Sequence, residues 1–144
     1  MKKIVLKIKL LNIENDGYHL SIKAKINGKV ANLLIDTGAS RTVFDLNRMD
    51  KFINKKDLKK NDQLSTGLGT SSMVSHVSEI KKLDLGGLII ANYDGIFIDL
   101  SHVNHSYENI KLKPIDGVIG SDILLQFKAV VNYEKMELVL KFKP

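Results

Sequence analysis

The 144-residue chain has no cysteine and no tryptophan, carries arginine only at Arg41 and Arg48, and contains no uninterrupted apolar run of membrane-spanning length. Without cysteine there is no disulfide framework, no thiol nucleophile and no thiolate metal site, and the composition suits a reducing compartment. A spanning helix needs about 18 or more consecutive apolar residues, so no membrane segment is expected. The net charge of +6 raises the question of a nucleic-acid partner, but the lysines are scattered and arginine and tryptophan are scarce or absent. The densest lysine stretch, residues 51–60, reads as a solvated helix end. Residues 1–11 have the basic tip of a secretion signal, yet Lys7 and Lys9 interrupt the apolar run such a signal requires. That segment reads as a strand in a cytoplasmic protein.

What is present is ordinary for a folded chain: 44% hydrophobic and 26% charged residues, enough to bury one core, so residues 1–144 are expected to form a single domain. Strand signals dominate. Residues 4–13 alternate, and in 19–26 Leu20, Ile22, Ala24 and Ile26 share one face. Asn27-Gly28 is a preferred two-residue hairpin turn, so residues 29–36 should return antiparallel to 18–26. A short helix is expected over 45–53 with Asp45 as its cap, and Gly86-Gly87 reads as a tight turn between strands. Residues 95–100 read as a buried strand, 101–113 as polar irregular chain, 121–127 as a short helix capped by Ser121, and 129–140 as a closing hairpin.

The most informative stretch is Leu33-Leu34-Ile35-Asp36-Thr37-Gly38-Ala39-Ser40. A carboxylate at the end of an apolar strand is costly unless compensated, so Asp36 is either a turn residue or a chemical one. Asp-Thr-Gly is good turn chemistry, and the phosphate-binding turn of the actin and sugar-kinase fold also follows a buried strand with aspartate, glycine and hydroxyl residues. That fold needs two large α/β lobes, more than this chain holds. His102 and His105, three apart, have no obvious third partner for a metal, and no metal or cofactor is expected.

About eighty residues after Asp36 comes Val118-Ile119-Gly120-Ser121-Asp122-Ile123-Leu124, and between the two lies the glycine-rich Thr66-Gly67-Leu68-Gly69-Thr70. An apolar pair before Asp-Thr-Gly, a glycine-rich segment, and an apolar-apolar-glycine element entering a helix resemble, in that order, the retropepsin-like aspartic proteases. The resemblance implies an all-β fold: a closed barrel lobe with one or two short helices and a β-hairpin flap. It implies Asp36 as the catalytic residue, with Thr37 and Gly38 supporting the site. Substrate would lie against Ala39, Gly67, Leu68, Gly69, Ile119 and Gly120.

A metal-free peptide hydrolysis of this kind uses two carboxyls in different protonation states, and this chain has one Asp-Thr-Gly. The resemblance therefore implies a homodimer with its two-fold axis beside Asp36, acting on a peptide or protein substrate. A catalytically silent dimerisation or peptide-binding module is the alternative. Ala39 stands where pepsin-type enzymes usually carry serine, which implies an optimum nearer neutral pH. The retroviral acid–arginine pair is missing as such, so Arg41 is expected to pair with Asp122 or Asp116.

Overall fold

The computed structural model describes residues 1–14, 16–61 and 74–144. Its strands are β1 (Lys2–Lys7), β2 (Lys9–Asn12), β3 (Tyr18–Ile26), β4 (Lys29–Ile35), β5 (Val43–Asp45), β6 (Lys59–Asn61), β7 (Ser75–Leu85), β8 (Leu88–Ile98), β9 (Gly117–Ile119), β10 (Val130–Asn132) and β11 (Glu137–Phe142). Two α-helices, α1 (Ser101–Asn109) and α2 (Ser121–Gln126), and two 3₁₀ segments, Leu46–Lys51 and Lys55–Asp57, complete the described elements. The strands form one sheet in the order β2-β3-β4-β9-β5-β8-β7-β6 and a second in the order β1-β11-β10. An added pairing of β3 with β7, Lys25 to Asp84 and Ile26 to Leu83, closes the middle of the larger sheet into a six-stranded barrel. This is the all-β, closed-barrel, retropepsin-like fold that the motifs imply.

The β3–β4 hairpin forms as its alternation requires. Leu20, Ile22, Ala24 and Ile26 are buried while Lys23 and Lys25 face out, and Asn27 and Gly28 both take positive φ, 51° and 84°. Strand β4 differs, because it is buried on both faces. Leu33 packs into the barrel core with Ile22, Phe44, Ile80 and Leu83, whereas Leu34 joins an outer core with Leu11, Val43, Ile98, Tyr107 and Ile115. A strand covered on both sides reads as a continuous apolar run, and that accounts for Leu33-Leu34-Ile35.

Four expectations need correction. Residues 4–13 do not form one strand: the chain bends at Ile8, sending β1 to pair with β11 and β2 to pair with β3. Residues 88–98 form one long strand, not two. The segment over 45–53 is 3₁₀ rather than α-helical, although Asp45 caps it, accepting from the Asn47 backbone N–H at 3.1 Å. Residues 101–109, expected to be irregular, form α1. This helix is held by packing more than by propensity: Tyr107 is buried and meets His19 Nδ1 at 2.6 Å, and Asn104 bonds the Asp45 carboxylate and both backbone groups of Ile115. Leu100, Val103 and Tyr107 already have helical spacing in the sequence. His102 and His105 lie on the exposed side of α1. No described helix is long and apolar enough to cross a membrane.

The ion pair also differs from expectation. Arg48, not Arg41, carries it: Arg48 Nε donates to Asp116 at 2.7 Å, and the Asp116 side chain is 1% exposed. Asp116 also accepts the Asn32 backbone N–H at 2.8 Å and so ties the entrance of β9 to β4. Removing one partner of such a pair leaves a buried charge short of compensation. Arg48→Met should therefore lower stability by about 2 kcal/mol, the half-exposed arginine limiting the loss, as read from urea denaturation.

Candidate active site

Asp36 follows the last residue of β4, and its own backbone continues the pairing. Strand β4 runs parallel to β9, with Leu33 opposite Gly117, Leu34 opposite Val118 and Ile35 opposite Ile119, after which the Asp36 N–H donates to the Ile119 carbonyl at 3.0 Å. On the other side of β9 lies β5, antiparallel, with Val43 opposite Val118. Residues 36–42 therefore cross over the end of β9 to reach β5. The turn tightens as the Gly38 N–H donates to Asp36 Oδ1 at 2.9 Å and the Ala39 N–H to the Asp36 carbonyl at 3.2 Å.

Asp36, Thr37 and Gly38 are exposed in this single chain. The carboxylate is thus not buried, and the apolar residues before it serve the two cores instead. Ala39, within the loop, and Ile119 and Gly120, beneath it, are buried. The three other expected substrate-contact residues, Gly67, Leu68 and Gly69, fall outside the described residues; β6 and β7 pair antiparallel on either side of that segment, Asn61 opposite Ser75.

What holds the crossing loop is a set of hydrogen bonds around the buried Thr42. The Ser121 N–H donates to the Ala39 carbonyl at 2.7 Å, and the Gly120 N–H donates to Thr42 Oγ1 at 3.0 Å. The Thr42 hydroxyl and backbone N–H in turn both donate to Asp122 Oδ1, at 2.7 and 2.9 Å. Thr42 is 1% exposed, so its hydroxyl and backbone N–H would be left without water or partner if the set were broken, whereas the exposed Asp122 carboxylate would be rehydrated. Neither Thr42 nor the role of Asp122 as its acceptor emerges from the sequence reading, which linked Asp122 to Arg41. The available signal is a hydroxyl residue six positions past Asp36 and a carboxylate two past the Ile-Gly pair. Ser121 is also corrected: α2 starts from Gly120 without a side-chain cap, and Ser121 Oγ makes only a long 3.5 Å contact to the Ser40 carbonyl.

Tyr93, on β8, reaches the other Asp122 oxygen at 3.4 Å. Burial, and then the Asp122 carboxylate beside it, push the Tyr93 phenol from its ordinary 10.0 up to about 12; burial alone pushes Tyr107 to about 12. A pKa raised on folding means that the neutral phenol contributes its stabilisation in full below pH 10 and loses it as pH climbs toward 12. In an alkaline titration followed by phenolate absorbance, Tyr93→Phe should delete one proton release near pH 12. A deleted release near pH 10 would show that neither burial nor Asp122 acts on the phenol.

The comparisons follow from this geometry. A family model described as Aspartyl protease matches residues 22–123, which take in both halves of the site. Among solved structures, a retropepsin-like aspartic protease from Rickettsia conorii is 20% identical, with a TM-score of 0.58, over 96% of this chain and 88% of that one. The retroviral protease-like domain of Ddi1 from Leishmania major is 16% identical, with a TM-score of 0.57, over 88% and 94%. The EIAV protease complexed with the inhibitor HBY-793 is 18% identical, with a TM-score of 0.58, over 82% and 96%. No curated protein matches the chain.

Proposed function

Because the chain belongs to the aspartyl protease family and has the retropepsin-like fold, we propose that it is an aspartic endopeptidase that works as a homodimer, with water activated between two copies of Asp36. The observation that carries this reading is the exposed Asp36 carboxylate on a rigidly anchored strand end, one per chain. A two-fold axis beside it supplies the second carboxylate. Two carboxyls about 3 Å apart cannot both ionise, so they share a proton; the aspartic-protease dyad is the standing example of this effect. One then takes a proton from water while the other gives a proton to the scissile carbonyl oxygen.

The resemblance to retropepsin-like proteases supplies the remaining roles. Thr37 braces the two loops across the axis, and the Gly38 N–H holds the Asp36 carboxylate. Ile119 and Gly120 support the loop from below, and with Ala39 they set the shape of the cleft floor. Gly67, Leu68 and Gly69 cover the substrate, an extended peptide that adds main-chain bonds like one more strand. No cofactor enters these steps.

Incubating the chain with a diverse peptide library over about pH 4 to 8 tests the proposal, since the dyad must carry one shared proton to act. Cleavage with specific activity rising with protein concentration is the expected result. A sample that is dimeric by sizing yet cuts nothing across that range would leave the silent module as the reading.

A further inference from the structure

A cleft of about 650 Å³ lies away from the Asp36 loop, lined by parts of β1 to β4 and by residues 112–115. None of residues 36–42 or 119–122 contributes to it. It sits where the two cores meet: Leu6, Ile8 and Ile22 of the barrel core and Leu11 and Ile115 of the outer core form its floor, all buried. Leu112 and Pro114, half-buried, form one wall. Its volume falls within the range of about 300 to 1,000 Å³ common for small-molecule sites.

The charge on its rim has one sign. Lys7, Lys9, Lys23 and Lys113 line the cleft, all exposed, and no aspartate or glutamate does. An apolar floor with four lysines and no carboxylate in its lining is complementary to an anion with a long apolar tail.

We propose that the cleft binds a long-chain fatty acid, its tail on the floor and its carboxylate among the four lysines. The site stands apart from the peptidase reading, so an Asp36→Asn chain should bind equally well. Isothermal titration of the full chain with decanoate, laurate and palmitate, each below its micellar concentration, should give one site per chain. Affinity should rise about threefold to fourfold per added methylene, as apolar burial dictates. Lys23→Glu with Lys113→Glu should weaken palmitate binding by at least about tenfold, since two favourable charges become two repulsive ones. Lys55→Glu with Lys56→Glu, outside the cleft, should leave it unchanged.

With the unaltered chain, hexadecanol in place of palmitate should bind at least about tenfold more weakly, which tests the carboxylate without any substitution. No saturable binding, affinity independent of chain length, or equal effects of the two lysine pairs would overturn the proposal. So would an acidic, apolar peptide that binds one to one where palmitate does not, or palmitate taken up only with anionic vesicles.

Discussion

An Asp36→Asn chain is expected to hydrolyse peptides at least about a thousandfold more slowly than the unaltered chain, the scale of losing a general acid–base pair, while its thermal midpoint stays within about 1 °C. The two halves of that expectation come from one feature. Asp36 is exposed, and among the described residues its side chain accepts a single hydrogen bond, from the Gly38 N–H. An asparagine oxygen accepts the same bond, so the loop keeps its form and only the proton chemistry goes. Mixing distinguishes a shared site from a self-sufficient one. If subunits exchange freely and every site needs two Asp36 carboxylates, adding about nine parts of the variant to one part of active chain leaves about a tenth of the original activity, because most active chains are drawn into silent pairs. A monomeric enzyme would keep all of its activity, and that result would overturn the dimer mechanism.

The two ends of the Asp36 site were legible from sequence because their residue types are demanded locally. Asp-Thr-Gly after an apolar strand and Ile-Gly before a helix are short, contiguous and chemically unusual, and the β3–β4 hairpin is announced by Asn27-Gly28. The bonds between those ends were not legible. Thr42 and Asp122 are eighty positions apart and meet only because β9 is inserted between β4 and β5. The same long-range insertion puts Asp116 beside Arg48 instead of Arg41, since the 3₁₀ segment after β5 brings Arg48 to the entrance of β9. Helix α1 was missed for a related reason: its stabilising contacts, Tyr107 to His19 and Asn104 to Asp45 and Ile115, belong to the outer core. That outer core also changes the meaning of Leu33-Leu34-Ile35. The apolar run records burial on two faces of β4, and the carboxylate that follows it emerges into solvent where a second chain can meet it.

Gly120→Ala is expected to cost at least about 3 kcal/mol of stability, at the upper end for overpacking a closed site. Gly120 has φ −101° and ψ −176°, extended backbone open to any residue, so the demand for glycine is one of space. A Cβ there would lie 2.6 Å from the Arg41 carbonyl carbon and 2.7 Å from the Ala39 and Arg41 carbonyl oxygens. All three are backbone atoms, which cannot swing aside as a side-chain tip would. Relief requires the loop of residues 39–42 to lift from β9. That movement stretches the Gly120 bond to Thr42 Oγ1 and the Ser121 bond to the Ala39 carbonyl together. On the proposed dimer mechanism, peptidase activity should fall with stability, because the lifted loop carries Asp36 with it. Gly38→Ala is the contrast: its added Cβ would meet only Asp36 Oδ1, at 3.3 Å, and stability should fall by less than about 1 kcal/mol. Urea denaturation of the two variants side by side decides the point, and a Gly120→Ala chain within 1 kcal/mol of the unaltered one would mean that the loop is not clamped against β9.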